Sequence, residues 1–269
     1  MAKPRPRILL TNDDGIQSPG LAAVAAALDD MADLLLVAPI KQQTSMSRAR
    51  TQSGEYNGKF TKHLVTHGNR QWDGIGVNST PALCVDYAIF EISPSPIDLV
   101  ISGINYGENI GSCVTVSGTI GAAIEAAERG IPAIAISLEL PGTDYHTLNQ
   151  SVDFSAAMAF IRLFAKKVLT KGLPKDVDVL KIEIPTSATP DTPWIVTHQD
   201  RLAYYMPYIV DRKDPYQEPG VMDHIPQKGI YTSENSDAYA QAHGLVSVTP
   251  LSMDLTSRTS LADLTKKLR

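Results

Sequence analysis

Arg7-Ile-Leu-Leu-Thr-Asn-Asp-Asp-Gly-Ile-Gln-Ser-Pro-Gly20 decides how this chain is read: a short apolar run stops at two adjacent carboxylates and then turns into a helix. Ile8 to Thr11 has strand composition and is bounded by the turn formers Asn12, Asp13, Asp14 and Gly15. Ser18 is placed to cap a helix starting at Pro19, because a serine hydroxyl accepts from an otherwise orphaned amide and proline has no amide to leave unpaired there. In an open α/β sheet, ligands sit beyond the carboxyl ends of the strands, which puts Asp13 and Asp14 at a site edge. Two neighbouring anions facing a cleft need a cation, a shared proton or full solvation. A hard divalent metal with oxygen ligands answers that need, and so does a solvated Asn-Asp-Asp-Gly turn.

Outward from this stretch, Leu21, Val24, Ala25, Leu28 and Met31 recur at helical spacing and predict a helix over 19–31 with one apolar face. Asp33 to Ala38 reads as a buried strand ended by Pro39, completing a parallel strand-helix-strand unit. The polar loop Gln42 to Thr51 follows that strand, so its hydroxyls either face the same cleft as the aspartates or are simply solvated. Residues 52–78 hold short β-like pieces, His63 to Thr66 and Gln71 to Ile75, around a His67-Gly-Asn turn. They predict a hairpin laid on the core, with His63 and His67 at the surface. Ser79 to Phe90 begins with a hydroxyl and an early proline and predicts a helix; Ile97 to Ser102 predicts another buried strand.

That strand empties into Ser102 to Gly121, which carries five glycines among twenty residues, and then into a helix from Thr119 to Arg129 closed by Gly130. Strand, glycine-rich loop and helix N-terminus together present free amides to an anion, phosphate being the natural guest; a flexible loop over the sheet edge is the plainer alternative. The spacing matches neither the dinucleotide fingerprint nor the P-loop. Ala133 to Ser137 is the next strand, and the loop 144–149 after it offers His146, either to the site or to the surface. An amphipathic helix over 151–170 and a strand from Asp178 to Ile184 follow. Residues 186–244 change texture, with Pro190, Pro193 and Pro207 among Tyr204, Tyr205, Tyr208, Tyr216, Tyr231 and Tyr239, and predict an extended arm that packs on a partner chain. Leu245 to Leu251 is a last strand, and Thr259 to Arg269 a polar, frayed helix at best.

The fold expected is therefore α/β: a Rossmann-like, doubly wound, mostly parallel sheet in three α/β/α layers, with an added β-hairpin region and a C-terminal extended arm. Residues 1–185 form the core, 186–244 the arm, and 245–269 the final strand and tail. At 269 residues, 43% hydrophobic and 20% charged, the chain is long enough for one sizeable core. A net charge of -5 argues against binding nucleic-acid polymers, though a small anionic ligand remains open. The apolar stretch after the basic start is too short for a signal-peptide core, and no run approaches a membrane span. Cys84 and Cys113 make no disulfide framework, so a cytoplasmic setting is expected, with Cys84 a small core residue and Cys113 incidental.

The order Thr11-Asn-Asp-Asp-Gly15, Val37-Ala-Pro39, Ser102-Gly-Ile-Asn105, Gly107-Glu-Asn-Ile-Gly111, Ser117-Gly-Thr119 and Val246-Ser-Val-Thr-Pro-Leu251 resembles the SurE family of stationary-phase survival proteins, metal-dependent nucleotidases and acid phosphatases. The resemblance covers Ile8 to about Thr256. It implies one divalent ion per subunit held by Asp13, Asp14, Thr44 and Asn105, with Asp13 and Asp14 as the catalytic residues. The family usually has Ser five residues after the proline; here Thr44 takes that place, with Ser45 beside it. An all-oxygen set suits Mg²⁺ or Mn²⁺. Asn12, Ser45, Asn109, Ser117, Gly118 and Thr119 are implied around the phosphate. The implied reaction is hydrolysis of nucleoside 5′- or 3′-monophosphates, with short polyphosphate as a further substrate, in a homodimer or homotetramer built through the arm. The alternatives are a phosphatase of broad specificity, an enzyme of another class on a doubly wound sheet such as an aspartyl-phosphate hydrolase, whose usual motif separates its aspartates by one residue, and a nucleotide binder without catalysis.

Overall fold

β1 (Arg7–Thr11), α1 (Pro19–Leu28) and β2 (Asp33–Pro39) form the parallel unit expected of the opening stretch, with Ile8 opposite Leu34 and Leu10 opposite Leu36. The computed structural model describes residues 5–141, 151–210 and 212–269; His146 lies outside them. Beyond β2 come β3 (Phe60–His67), β4 (Arg70–Val77), α2 (Pro81–Tyr87), β5 (Leu99–Tyr106), α3 (Gly118–Glu128), β6 (Ala133–Leu138), α4 (Ser155–Lys171) and β7 (Val179–Ile184). The C-terminal part adds β8 (Trp194–Val196), β9 (Tyr205–Val210), β10 (Val221–Pro226), α5 (Asp237–Ala242), β11 (Val246–Leu251) and α6 (Leu261–Leu268).

One sheet runs β3-β4-β2-β1-β5-β6-β7-β11-β8, parallel from β4 through β7, with β3 antiparallel on β4 and β11 antiparallel on β7. The side-chain period of a strand divides the core in two. Ile8 and Leu10 face α1 and α4, while Leu9, Val37 and Val100 face α2 and α3. This is the three-layer α/β/α arrangement with the chain winding outward from β1 in both directions. Its reversal lies between β1 and β5, where an open α/β sheet forms its crevice.

Several expectations are corrected. The hairpin is not laid on the core; β4 pairs parallel with β2, Leu36 opposite Gly74, so the hairpin extends the main sheet. α1 does not show one apolar face but is buried all round, because β5, β3 and α4 enclose its alanine-rich surface. It also stops at Leu28 rather than at residue 31. Its last carbonyls are met by arginines from distant segments: Arg70 donates to the Ala26 carbonyl at 2.6 Å and Arg162 to that of Ala27 at 2.8 Å. Residues 186–244 are not uniformly an arm. β8 joins the sheet edge and α5 packs on β11, so among the described residues of this region the two-stranded β9–β10 hairpin is what stands apart from the sheet. That hairpin leaves Met206, Tyr208, Ile209, Val221, Met222 and Ile225 exposed. In α2, Thr80 caps the start and a π-helical turn over Ala88–Ile92 replaces the last part of the helix expected to Phe90. Both cysteines are free, and among the described residues no helix is long and apolar enough to cross a membrane.

Candidate active site

β1 ends in a turn closed by its own first residue. The Gly15 amide donates to Asn12 Oδ1 at 3.0 Å, and Asn12 Nδ2 donates to the Gly15 carbonyl at 3.1 Å. Asn12, implied at the phosphate, is fully buried and has both ends of its amide in this turn instead. The turn sends the next two side chains to different neighbours. Asp13 meets the start of α3: Thr119 Oγ1 donates to Asp13 Oδ1 at 2.5 Å, and the amides of Thr119 and Gly118 are turned toward the same carboxylate. Asp14 meets the end of β5 and the loop after β2: the Tyr106 amide donates to Oδ2 at 3.1 Å and Gln42 Nε2 to Oδ1 at 3.2 Å.

Both carboxylates are buried, at 5% and 3% exposure, and among the described residues neither pairs with a cationic side chain. Burial raises the pKa of Asp13 against the opposing pull of the Thr119 hydroxyl and the α3 amides. Burial raises that of Asp14 well above the usual carboxylate range, and the negative charge of Asp13 adds to it. Such a pair is most easily charged when a divalent cation is supplied. The residues present fit one, since every candidate donor is a hard oxygen. Close by, the hydroxyls of Thr11 and Ser102, opposite each other on β1 and β5, are buried without a hydrogen-bond partner among the described residues.

The other candidates are placed as follows. The loop after β2 is fastened to the aspartates by Gln43, whose amide donates to the Asp13 carbonyl at 2.6 Å; Thr44 and Ser45 form the exposed turn that follows. The loop is then strapped to α3, with Arg48 Nε on the buried Glu125 at 2.6 Å and the Ser47 amide on the Val116 carbonyl at 2.9 Å. A Cβ on Gly121 would stand 2.0 Å from the Ser47 carbonyl oxygen, so only glycine admits this approach. Asn105, at the end of β5, donates from Nδ2 to the Gly107 carbonyl at 2.7 Å and is partly exposed. The neighbouring residue, Tyr106, is the one whose amide holds Asp14.

Asn109 donates to Ser137 Oγ at 2.9 Å, and Ser137 sits opposite Asn105 in the β5–β6 register. Ser117 caps α3, its hydroxyl accepting from the Ile120 amide at 3.2 Å with its own proton left to donate, whereas the Thr119 hydroxyl already donates to Asp13. Gly118 lies directly against Asp13: an added Cβ would come within 2.8 Å of both its Cβ and its Oδ2. The Gly118 and Thr119 amides at the start of α3 are thus turned to the Asp13 carboxylate.

Sequence reasoning named Asp13, Asp14, Asn105 and the Ser117–Thr119 turn, and the fold converges these on one edge. It did not single out Gln42, Tyr106, or the charged group Lys181, Glu183 and Asp237 behind the loop 107–111. The signal for the last was present, since Lys181 and Glu183 alternate inside an otherwise apolar strand, Val-Leu-Lys-Ile-Glu-Ile.

The Survival protein SurE family matches residues 8–205. A protein of Thermococcus gammatolerans named 5′-nucleotidase SurE is 39% identical over 261 residues, 96% of this chain and 94% of that protein. One of the same name from Thermococcus kodakarensis is 37% identical over 263 residues, 97% of this chain and 98% of that protein. The crystal structure of the SurE protein from Aquifex aeolicus, 29% identical, matches with a TM-score of 0.75 over 98% of this chain and all of that one. With that match over most of its length, two near full-length relatives and the same fold, the chain belongs to the Survival protein SurE family.

Proposed function

We propose that the chain is a phosphoric monoester hydrolase that cleaves nucleoside 5′-monophosphates to nucleoside and phosphate, with 3′-monophosphates and short polyphosphate as secondary substrates. The observation that carries this is the buried Asp13–Asp14 pair at the reversal of the sheet with the N-terminus of α3 against it, in a chain of a family whose relatives are named 5′-nucleotidases.

Asp13, Asp14, the Asn105 amide oxygen and the Thr44 hydroxyl would hold one Mg²⁺ or Mn²⁺. The chemistry such an ion supplies when bound is neutralisation of phosphate charge and a lower pKa for water. The chain's own residues do the positioning. Thr119 and the first amides of α3 orient Asp13, and Gln42 and the Tyr106 amide orient Asp14. Asn109 beside Asn105, the α3 N-terminus and Ser45 border the space for the phosphate. Water is the nucleophile and the nucleoside oxygen leaves, so no activated serine or cysteine is needed. The exposed apolar β9–β10 hairpin would build the homodimer or homotetramer.

Phosphate release over a panel of nucleoside 5′- and 3′-monophosphates, with EDTA and with Mn²⁺ or Mg²⁺ restored, tests the proposal. Release that stops with EDTA and returns with metal supports it. Release indifferent to chelation points to a covalent mechanism, and nucleotide binding without release points to a sensor.

A further inference from the structure

Behind the loop Gly107–Gly111 lies a group of buried charges that hydrolysis itself does not use. Lys181 on β7 is fully buried; its Nζ donates to the Asn109 carbonyl at 2.8 Å and to Asp237 Oδ2 at 2.8 Å, with Glu183 Oε1 at 3.5 Å. Glu183 Oε2 accepts from the Asn109 amide at 2.9 Å, and Asp237 accepts from the amides of Gly111 at 3.1 Å and Asp200 at 2.8 Å. Both backbone groups of Asn109 are thus held by buried charged side chains, while its side chain reaches Ser137 opposite Asn105. Burying ions of both signs is a poor route to stability, since well-packed apolar side chains of the same volume usually serve as well or better. Charged partners do give short, directional bonds to backbone groups, and so fix where a loop lies.

We infer that Lys181 is a positioning residue. By gripping the Asn109 carbonyl, with Glu183 and Asp237 gripping the adjoining amides, it keeps the Asn109 side chain beside Asn105, at the edge where the phosphate-bearing substrate binds. This rests on the nucleotidase reading, because only a phosphate bound there makes the placement of Asn109 matter. The grip comes from three elements far apart in sequence, β7, α5 and the loop itself, so local sequence alone cannot reproduce it.

The test uses the full chain. Lys181→Met removes the donor but strands two buried carboxylates and can fail to fold. The triple variant Lys181→Met, Glu183→Gln, Asp237→Asn removes all three charges and keeps the acceptors for the two amides, and Lys181→Arg keeps the charge while displacing the donor. Three readouts are taken: amide hydrogen exchange at Asn109 and Gly111, Mn²⁺ binding alone, and kcat and KM for a nucleoside 5′-monophosphate at saturating Mn²⁺. Positioning predicts at least tenfold faster exchange at these amides, Mn²⁺ affinity within twofold of the parent, and at least a tenfold fall in kcat/KM carried by kcat. A folded variant with kcat/KM within threefold of the parent overturns the inference, whatever its exchange rates. So does a fall matched by an equal loss of Mn²⁺ affinity, which would mean the whole site had been disturbed. A parent chain that releases no phosphate sinks the nucleotidase reading instead; unchanged exchange would then separately reject the grip on the loop.

Discussion

Gly118→Ala isolates the contact between α3 and Asp13. The new methyl would begin 2.8 Å from both the Cβ and the Oδ2 of Asp13, against the 3.4 Å at which ordinary contact starts, so the two must part by about 0.6 Å. Rotating the carboxylate away does not suffice, because the Cβ of Asp13 is itself too close; the turn or the start of α3 has to move. Thr119 is the next residue and donates to Asp13 Oδ1 at 2.5 Å, so any such movement also stretches that bond. Catalytic groups must be held within about 0.5 Å of their working geometry, and a misplacement near 1 Å can cost about 100-fold. A fall in kcat/KM of roughly 10- to 100-fold is therefore expected. Thermal stability should fall modestly, since Gly118 is the first residue of α3, where the helix-interior preference for alanine of about 1 kcal/mol is only partly gained against the strain. Steady-state phosphate release from a nucleoside 5′-monophosphate, read alongside a thermal melt, is the assay. A folded variant with kcat/KM within threefold of the parent would show that α3 does not set the position of Asp13.

Asp13→Asn or Asp14→Asn should abolish nearly all phosphate release in a folded protein. Mn²⁺ should raise the melting temperature of the parent and do so much less for either variant; an equal rise in all three would remove the pair as the ion's ligands. Glu183 is held by burial at a pKa of about 7, above the 4.5 of an ordinary glutamate, despite the neighbouring Lys181. Its neutral form is thus favoured on folding, and the penalty is absent below pH 4.5, grows as pH rises, and is complete above pH 7 at roughly 3 kcal/mol. The stability of Glu183→Gln relative to the parent should therefore improve by about that amount between pH 4.5 and 8 in denaturant titrations; parallel curves would contradict it. Removing the hairpin residues 206–225, while leaving Asp237 and β8 in place, should lower the mass seen in size-exclusion chromatography with light scattering. An unchanged oligomer would reject the hairpin as its interface.

β1, β2, β5, β6 and β7 were legible because each is a short, largely apolar run bounded by turn formers, and their parallel order followed from helices lying between them; β8, β9 and β10 lie in a stretch that reads as extended arm and loops. The edge position of the hairpin was not, because Leu36 opposite Gly74 is a pairing between distant segments that leaves no local pattern. The full burial of α1 was hidden for a related reason: a helix of alanines reads as weakly amphipathic until the elements that enclose it are known. Asp13 and Asp14 could be read as a site because two adjacent carboxylates pose an electrostatic problem within the sequence itself. What holds each in place could not, since Thr119 lies 106 residues from Asp13 and the Tyr106 amide 92 residues from Asp14. Composition set residues 186–244 apart as an extended arm, but it could not separate the projecting hairpin from Asp237, a buried partner of Lys181.

Because β11 lies between β7 and β8, the sheet cannot be completed until the ribosome has passed residue 251. At usual elongation rates β7 then waits several seconds with an open edge, the condition in which strands of different chains pair and aggregate. During that wait the edge carries Lys181 and Glu183, charges of the kind that discourage such pairing. Once α5 brings Asp237 to Lys181 and β11 closes the edge, the same side chains become interior. On this view β7 is guarded during synthesis by the residues that later grip the loop. Chains arrested after residue 245 should aggregate more when Lys181 and Glu183 are replaced by Val and Ile than when they are kept, and equal aggregation would show that the two charges give no such protection.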